Sequence, residues 1–251
     1  MATHQVDAVV LVGGKGTRLR PLTLSAPKPM LPTAGLPFLT HLLSRIAAAG
    51  IEHVILGTSY KPAVFEAEFG DGSALGLQIE YVTEEHPLGT GGGIANVAGK
   101  LRNDTAMVFN GDVLSGADLA QLLDFHRSNR ADVTLQLVRV GDPRAFGCVP
   151  TDEEDRVVAF LEKTEDPPTD QINAGCYVFE PQRHRPDSAG PGGFGGTRGV
   201  PGLARRRRLQ DLRLCRCQLL AGHGHTGRLR SRIGGSGARH RPVSGLAWSP
   251  R

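Results

Sequence analysis

Apolar residues along the first 140 positions fall into two alternating patterns. Residues 7–12 (DAVVLV), 53–58 (HVILGT), 77–82 (LQIEYV), 105–112 (TAMVFNGD) and 132–140 (DVTLQLVRV) are short β-branched runs of the kind that form buried strands. Between them, residues 36–49, 61–69, 92–101 and 117–130 carry apolar positions at helical spacing, and the first of these stops at Gly50, a good C-terminal cap. Strands alternating with helices predict an α/β fold: a mostly parallel sheet with helices on both faces. After residue 140 the pattern turns strand-rich, through FGCVPT, RVVAFLEK and NAGCYVFE, which predicts an added β layer beside the first half. In open sheets of this kind ligands bind beyond the carboxyl ends of the strands. The loops starting at Gly13, Glu84 and Gly111 are therefore expected on one face.

Charge divides the chain in two. Residues 1–182 carry 14 Lys+Arg against 23 Asp+Glu, a charge of −9, whereas residues 183–251 carry 15 Arg and two Asp, a charge of +13. The net +4 of the whole chain conceals this division. We expect a domain over 1–182 and an Arg/Gly-rich tail over 183–251, whose composition cannot bury enough apolar area to order it. The N-terminus has no basic segment followed by a long apolar run, and no stretch approaches the ~20 apolar residues of a membrane span. A cytoplasmic protein without a membrane partner is expected. Cys148 and Cys176, in strand-like runs, read as inert packing thiols.

The chemistry gathers in a few short motifs. VGGKGTRLRPLT (12–23) leaves a buried strand and enters a glycine turn, where Gly13, Gly14 and Gly16 let backbone amides approach an anion closely. The motif is neither GxGxxG nor GxxxxGK[ST], so it indicates neither a dinucleotide fold nor a P-loop ATPase. Arg18 can fork onto phosphate oxygens, and Lys28 offers a second cation. Taken singly, Asp112 could be a helix N-terminal acid, Glu162–Lys163 a surface ion pair and Asn173 a turn residue. His86 and His126 read as solvated.

Together these segments resemble the sugar-1-phosphate nucleotidylyltransferases. The resemblance is carried by GGKGTRLRPLTLSAPKPMLP (13–32), EEHPLGTGGGIA (84–95), FNGDVL (109–114), FLEKTE (160–165) and NAGCYVF (173–179), in the family's order and spacing. LVGG, TRLRPLTL and EEHPLGT are most similar to the mannose-1-phosphate guanylyltransferase branch, with thymidylyl- and glucose-specific branches still open. The resemblance implies a Rossmann-like fold whose β-rich addition binds sugar. It implies that Gly13, Gly14, Gly16 and Thr17 hold the nucleotide, that Arg18 and Lys28 neutralise the triphosphate, and that Glu84 and Gly89 lie against the base. A carboxylate can accept from guanine N1–H and N2–H₂, which suits GTP. Asp112 would bind Mg²⁺, Glu162 a sugar hydroxyl and Lys163 the sugar phosphate, with Gly147 and Asn173 on the sugar side. The implied reaction joins an NTP and a sugar-1-phosphate, with pyrophosphate leaving; catalysis would come from positioning and charge neutralisation. The partners expected are these small molecules, with nucleic acid not expected and a homo-oligomer left open.

The family also supplies a W-x-D-x-G-T segment downstream, carrying a second metal carboxylate, and this chain has none. Its one tryptophan, Trp248, sits in LAWSPR. Read one base out of phase, however, the codons of LLAGHGHTGRLR (219–230) can yield YWRDMGTPEDF, the absent motif. Residues 183–203 and 204–218 can likewise yield ordinary family sequence. We therefore expect a reading-frame shift near Gln182–Arg183, which the nucleotide sequence of the tail tests directly. Two other features of the tail are short mimics with high false-positive risk: Cys215-x-Cys217 with His223 and His225 for zinc, and the arginines at 205–208 for nucleic acid. The expectation is thus a nucleotidyltransferase with impaired turnover. The alternatives are a non-catalytic nucleotide-binding module whose basic tail recruits RNA or an acidic partner, and an unstable relic.

Overall fold

A computed structural model describes residues 5–180, except 15, 87 and 162, together with 212–215. The fold is α/β. Seven strands form one sheet in the order β5-β4-β1-β6-β8-β7-β9: β1 Val6–Leu11, β4 His53–Thr58, β5 Gln78–Thr83, β6 Thr105–Asn110, β7 Val133–Arg139, β8 Gln171–Phe179 and β9 Leu212–Cys215. The first four are mutually parallel. Two short strands, β2 Pro32–Thr33 and β3 Leu36–Pro37, make a separate antiparallel hairpin. Among the helices are α1 Leu22–Ser25, α2 Phe38–Ala48, α3 Pro62–Phe69, α4 Gly89–Val97 and α5 Leu119–Ser128.

Side-chain alternation along β1 explains the layers. Val6, Ala8 and Val10 point to one face and join a core with Leu39, Leu42, Leu43 and Ile46 of α2, Phe65 of α3 and Leu122 of α5. Val9 points to the other face and packs with Ile55, Val108 and Val97 of α4. Helices thus cover both faces, as the continuous apolar strands require. Asp118 caps α5 by accepting from the Gln121 amide (3.1 Å).

The path of the chain fixes where a ligand can enter. From β1 it builds outward through β4 to β5, then returns to lay β6 on the other side of β1. The carboxyl ends of β1 and β6 therefore flank the point where strand order reverses, the crevice favoured for ligands in open sheets.

Several expectations need adjusting. NAGCYVFE does not form a separate layer: β8 inserts into the main sheet, antiparallel to β6 and β7. FGCVPT and RVVAFLEK form no regular strand and contribute only the isolated bridges Cys148–Leu161, Cys148–Ile172 and Thr151–Val157. Expected disorder of the tail is not met at Leu212–Cys215, which pair in parallel with β7; a strand edge offers free backbone donors and acceptors to any extended segment. The rest of the tail, with its cysteine–histidine and arginine clusters, lies outside the described residues apart from that strand. No helix among the described residues is long and apolar enough to cross a membrane.

At the amino ends of the strands sits a buried polar knot. Asp7 is fully buried and accepts from His53 Nδ1 (2.7 Å), the Arg102 amide (2.7 Å), the Asn103 amide (2.8 Å) and Asn103 Nδ2 (2.9 Å). Burial pushes its carboxyl up, but these hydrogen bonds outweigh it and hold the group below the ordinary aspartate range. Glu80 closes the outer side, 3.2 Å from His53 Nε2; Arg102, then Lys100, hold its carboxyl down at about 2.

Candidate functional site

The loop after β1 is shaped by two side chains behind it. Thr23 Oγ1 donates to the Gly16 carbonyl (2.9 Å) and Ser59 Oγ to the Gly13 carbonyl (2.6 Å). With those carbonyls engaged from behind, the loop can turn amides toward the cavity. Gly16 has φ +58°, and a Cβ there would lie 2.9 Å from Thr23 Cγ2 and 3.0 Å from Lys28 Cβ, so both the turn and the crowding require glycine. Lys61 Nζ ties α1 down by donating to the carbonyls of Leu24 (2.8 Å) and Ser25 (2.9 Å).

These elements border a cavity of about 680 Å³ at the carboxyl ends of β1 and β6. Gly13, Gly14, Gly16, Thr17, Arg18, Lys28, Glu84, Gly89 and Asp112 all line it. Nine of the thirteen residues singled out from the sequence are therefore brought together. Arg18 is exposed. Lys28 Nζ lies 2.7 Å from Asp112 Oδ2, a half-exposed ion pair across the mouth of the cavity. Each group thus has a partner that a polyphosphate or a cation would compete for. Glu84 sits just before α4, its Oε2 accepting from the Leu88 amide (3.3 Å), while its Oε1 occupies space that a Cβ at Gly93 would need (2.8 Å).

Of the residues expected on the sugar side, Gly147, Lys163 and Asn173 are not among those lining this cavity. Gly147 adjoins Cys148, whose backbone exchanges two hydrogen bonds with Leu161 (3.0 and 2.9 Å); a Cβ on Gly147 would meet the Leu161 carbonyl at 2.8 Å. Lys163 is exposed two residues further on, and Glu162 lies outside the described residues. Asn173, in β8, donates from Nδ2 to the Tyr177 hydroxyl (2.6 Å) and accepts from the Gly175 amide (2.9 Å). Burial pushes the Tyr177 phenol up.

Two residues behave differently from their sequence reading. His126 is fully buried rather than solvated, with Nδ1 2.8 Å from Thr134 Oγ1, because the apolar face of α5 carries it under β7. Asn110, which the motif reading passed over, lines the cavity. The available signal was position: Asn110 ends the apolar run of β6, at the carboxyl edge where open sheets bind ligands.

As to metal chemistry, no group of three or more His, Cys, Asp or Glu side chains that could hold a metal ion is found among the described residues. The acids lining the cavity are Glu84 and Asp112. Asp112, half-exposed and held only by the exchangeable Lys28 contact, suits a cation that takes its remaining ligands from phosphate and water, as Mg²⁺ does, and does not suit an all-protein site.

Residues 7–187 match the family model described as nucleotidyl transferase. The mannose-1-phosphate guanylyltransferase catalytic subunit beta of Drosophila pseudoobscura pseudoobscura is 38% identical over 177 residues, 69% of this chain and 48% of that protein. Mannose-1-phosphate guanylyltransferase 1 of Arabidopsis thaliana is 37% identical over 183 residues, covering 70% and 50%. The chain thus spans about half the length of the curated relatives it matches. HddC from Yersinia pseudotuberculosis, solved in complex with GMP-PN, superposes with a TM-score of 0.62 at 30% identity, over 70% of this chain and 77% of that one. By the extent of the family match and these identities, the chain belongs to the nucleotidyl transferase family.

Proposed function

We propose that residues 1–182 form a nucleotidyltransferase domain that transfers GMP from GTP to mannose-1-phosphate, giving GDP-mannose and pyrophosphate. One observation carries this reading: the glycine turn, Arg18, Lys28, Glu84, Gly89 and Asp112, drawn from four separate segments, line a single cavity at the strand-order reversal. The names of the relatives point to mannose-1-phosphate as acceptor, and the GMP-PN bound in the Yersinia structure points to guanine.

The amides of Gly13, Gly14 and Gly16 would cradle the triphosphate, with Arg18 and Lys28 neutralising its charge. Glu84 would accept from the guanine edge beside Gly89. A phosphate oxygen of mannose-1-phosphate attacks the α-phosphorus in line, the bond to the β-phosphate breaks, and pyrophosphate departs without a covalent enzyme intermediate. Mg²⁺, held by Asp112 together with phosphate oxygens, would withdraw negative charge from the triphosphate. Lys163, with Gly147, Glu162 and Asn173, would receive the sugar phosphate and sugar.

The family match ends at residue 187, close to where the charge changes sign. That proximity supports a frame shift near Gln182–Arg183 and a tail that does not supply the second carboxylate. Loss of one charge-stabilising group at such a site costs about 2.7–4 kcal/mol in the barrier, so the 251-residue form should turn over slowly or not at all. The test is pyrophosphate release with GTP and mannose-1-phosphate, run beside a version restored to the alternative frame. Release only from the restored version is the expected result; equal rates would refute the impairment, and silence from both would refute the assigned reaction.

A further inference from the structure

The corner that follows β4 grips the loop after β1 from behind, at both of its ends. Ser59 Oγ donates to the Gly13 carbonyl (2.6 Å), and a Cβ on Gly13 would lie 2.8 Å from that oxygen. Two residues further on, Lys61 Nζ donates to the carbonyls of Leu24 (2.8 Å) and Ser25 (2.9 Å), at the carboxyl end of α1. From within α1, Thr23 Oγ1 donates to the carbonyl of Gly16 (2.9 Å), where the turn takes its left-handed bend. A polar route therefore runs from Lys61 through α1 to the middle of the nucleotide loop.

α1 has little apolar hold of its own. It is four residues long, buries only Thr23, and leaves Leu22 62% and Leu24 60% exposed. A single turn is marginal by itself, and its last carbonyls have no partners within the helix. Lys61 supplies donors for two of them from a different segment. Its backbone has φ +52°, a left-handed position that disfavours lysine, so what lysine adds there is its long cationic side chain. The ammonium also lies 5.3 Å from the centroid of the Tyr60 ring, which steadies it further. Lys61 is not among the residues lining the cavity, so it can reach a ligand only through the loop.

We propose that Lys61 is a positioning residue of the nucleotide site: by holding the carboxyl end of α1 it keeps Thr23 on Gly16, and the loop amides in place for a triphosphate. A loop ordered before binding loses less conformational freedom when the ligand arrives, and its affinity is higher for that reason.

This inference rests on the nucleotidyl-transfer reading, and its test separates the two. The full chain is titrated with GTP by calorimetry, and its ligand-free amide exchange is measured, as wild type, Lys61→Met, Lys61→Arg, Thr23→Val and the double variant Lys61→Met/Thr23→Val. Lys61→Met should bind GTP about tenfold more weakly, with faster exchange at residues 16–20 and unchanged exchange in β4 and α3. Lys61→Arg, which can donate to the same carbonyls, should return to within about threefold of wild type. Because Thr23 lies on the same route, the double variant should lose little more than the weaker of the two single variants. Unchanged GTP affinity in Lys61→Met, fully additive losses, or exchange that speeds up throughout β4 and α3 would each overturn the assignment and leave the parent reading intact. A folded wild type that binds no GTP would overturn both. If Lys61→Met fails to fold, Thr23→Val decides: an affinity equal to wild type would overturn the route.

Discussion

The two edges of the parallel sheet solve opposite problems. At the amino edge, Asp7 is fully buried and accepts four hydrogen bonds, from His53, Arg102 and Asn103. At the carboxyl edge, Arg18 is exposed, and the Lys28–Asp112 pair is open to water at the mouth of a cavity. A satisfied buried carboxylate locks the crossover that leads into β6; a half-exposed ion pair can exchange partners at little cost. The difference teaches that this fold places stability and ligand chemistry at opposite ends of the same strands, so substitutions at the two ends should separate cleanly.

The largest effect is expected from Asp7→Asn. It leaves several buried donors facing an amide, and unfolding in urea should show a loss of about 3–5 kcal/mol, with GTP affinity of the folded fraction unaltered. The wild-type carboxyl is held below its ordinary range, so its stabilisation is complete above that range and lost as pH falls through the depressed value. The variant should accordingly show a flatter acid limb in stability against pH. A variant as stable as wild type would erase the contrast between the edges.

Next comes Lys28→Met, which should weaken GTP binding by roughly ten- to a hundredfold, the worth of one charge-assisted hydrogen bond in a partly open site. Calorimetry measures it, and an unchanged affinity would remove Lys28 from the site. Gly16→Ala should cost about 1–2 kcal/mol in thermal unfolding, because an L-residue is forced to φ +58° against Thr23 and Lys28; a neutral result would mean that the turn can relax. Smallest is the effect of Lys28→Met on stability, less than about 1 kcal/mol for an exposed pair. A larger loss would show that the carboxyl edge also carries structure.

Periodicity alone made much of this legible. The apolar runs at 7–12, 53–58 and 105–112 became β1, β4 and β6, and the glycine turn, Glu84 and Asp112 fell on one face because they follow parallel strands. What periodicity could not show depends on contacts distant in sequence. Nothing in NAGCYVF announces that it slots antiparallel between β6 and β7. Residues 36–37, expected to start a helix, pair instead with Pro32–Thr33, in strands too short to carry a pattern. The helix expected at 92 starts at Gly89, running through Gly91 and Gly92, which have poor helix propensity, where packing overrides local preference. Asn110 escaped notice because its neighbour Gly175 lies on another strand.

The measurement closest to the central claim is amide hydrogen exchange of the full chain with and without GTP. Binding at the carboxyl edge should slow exchange in residues 12–20, 84–90 and 110–113 and leave the amides around Asp7 and His53 unchanged. Slowing at the amino edge, or none anywhere on a folded chain at saturating GTP, would contradict the account.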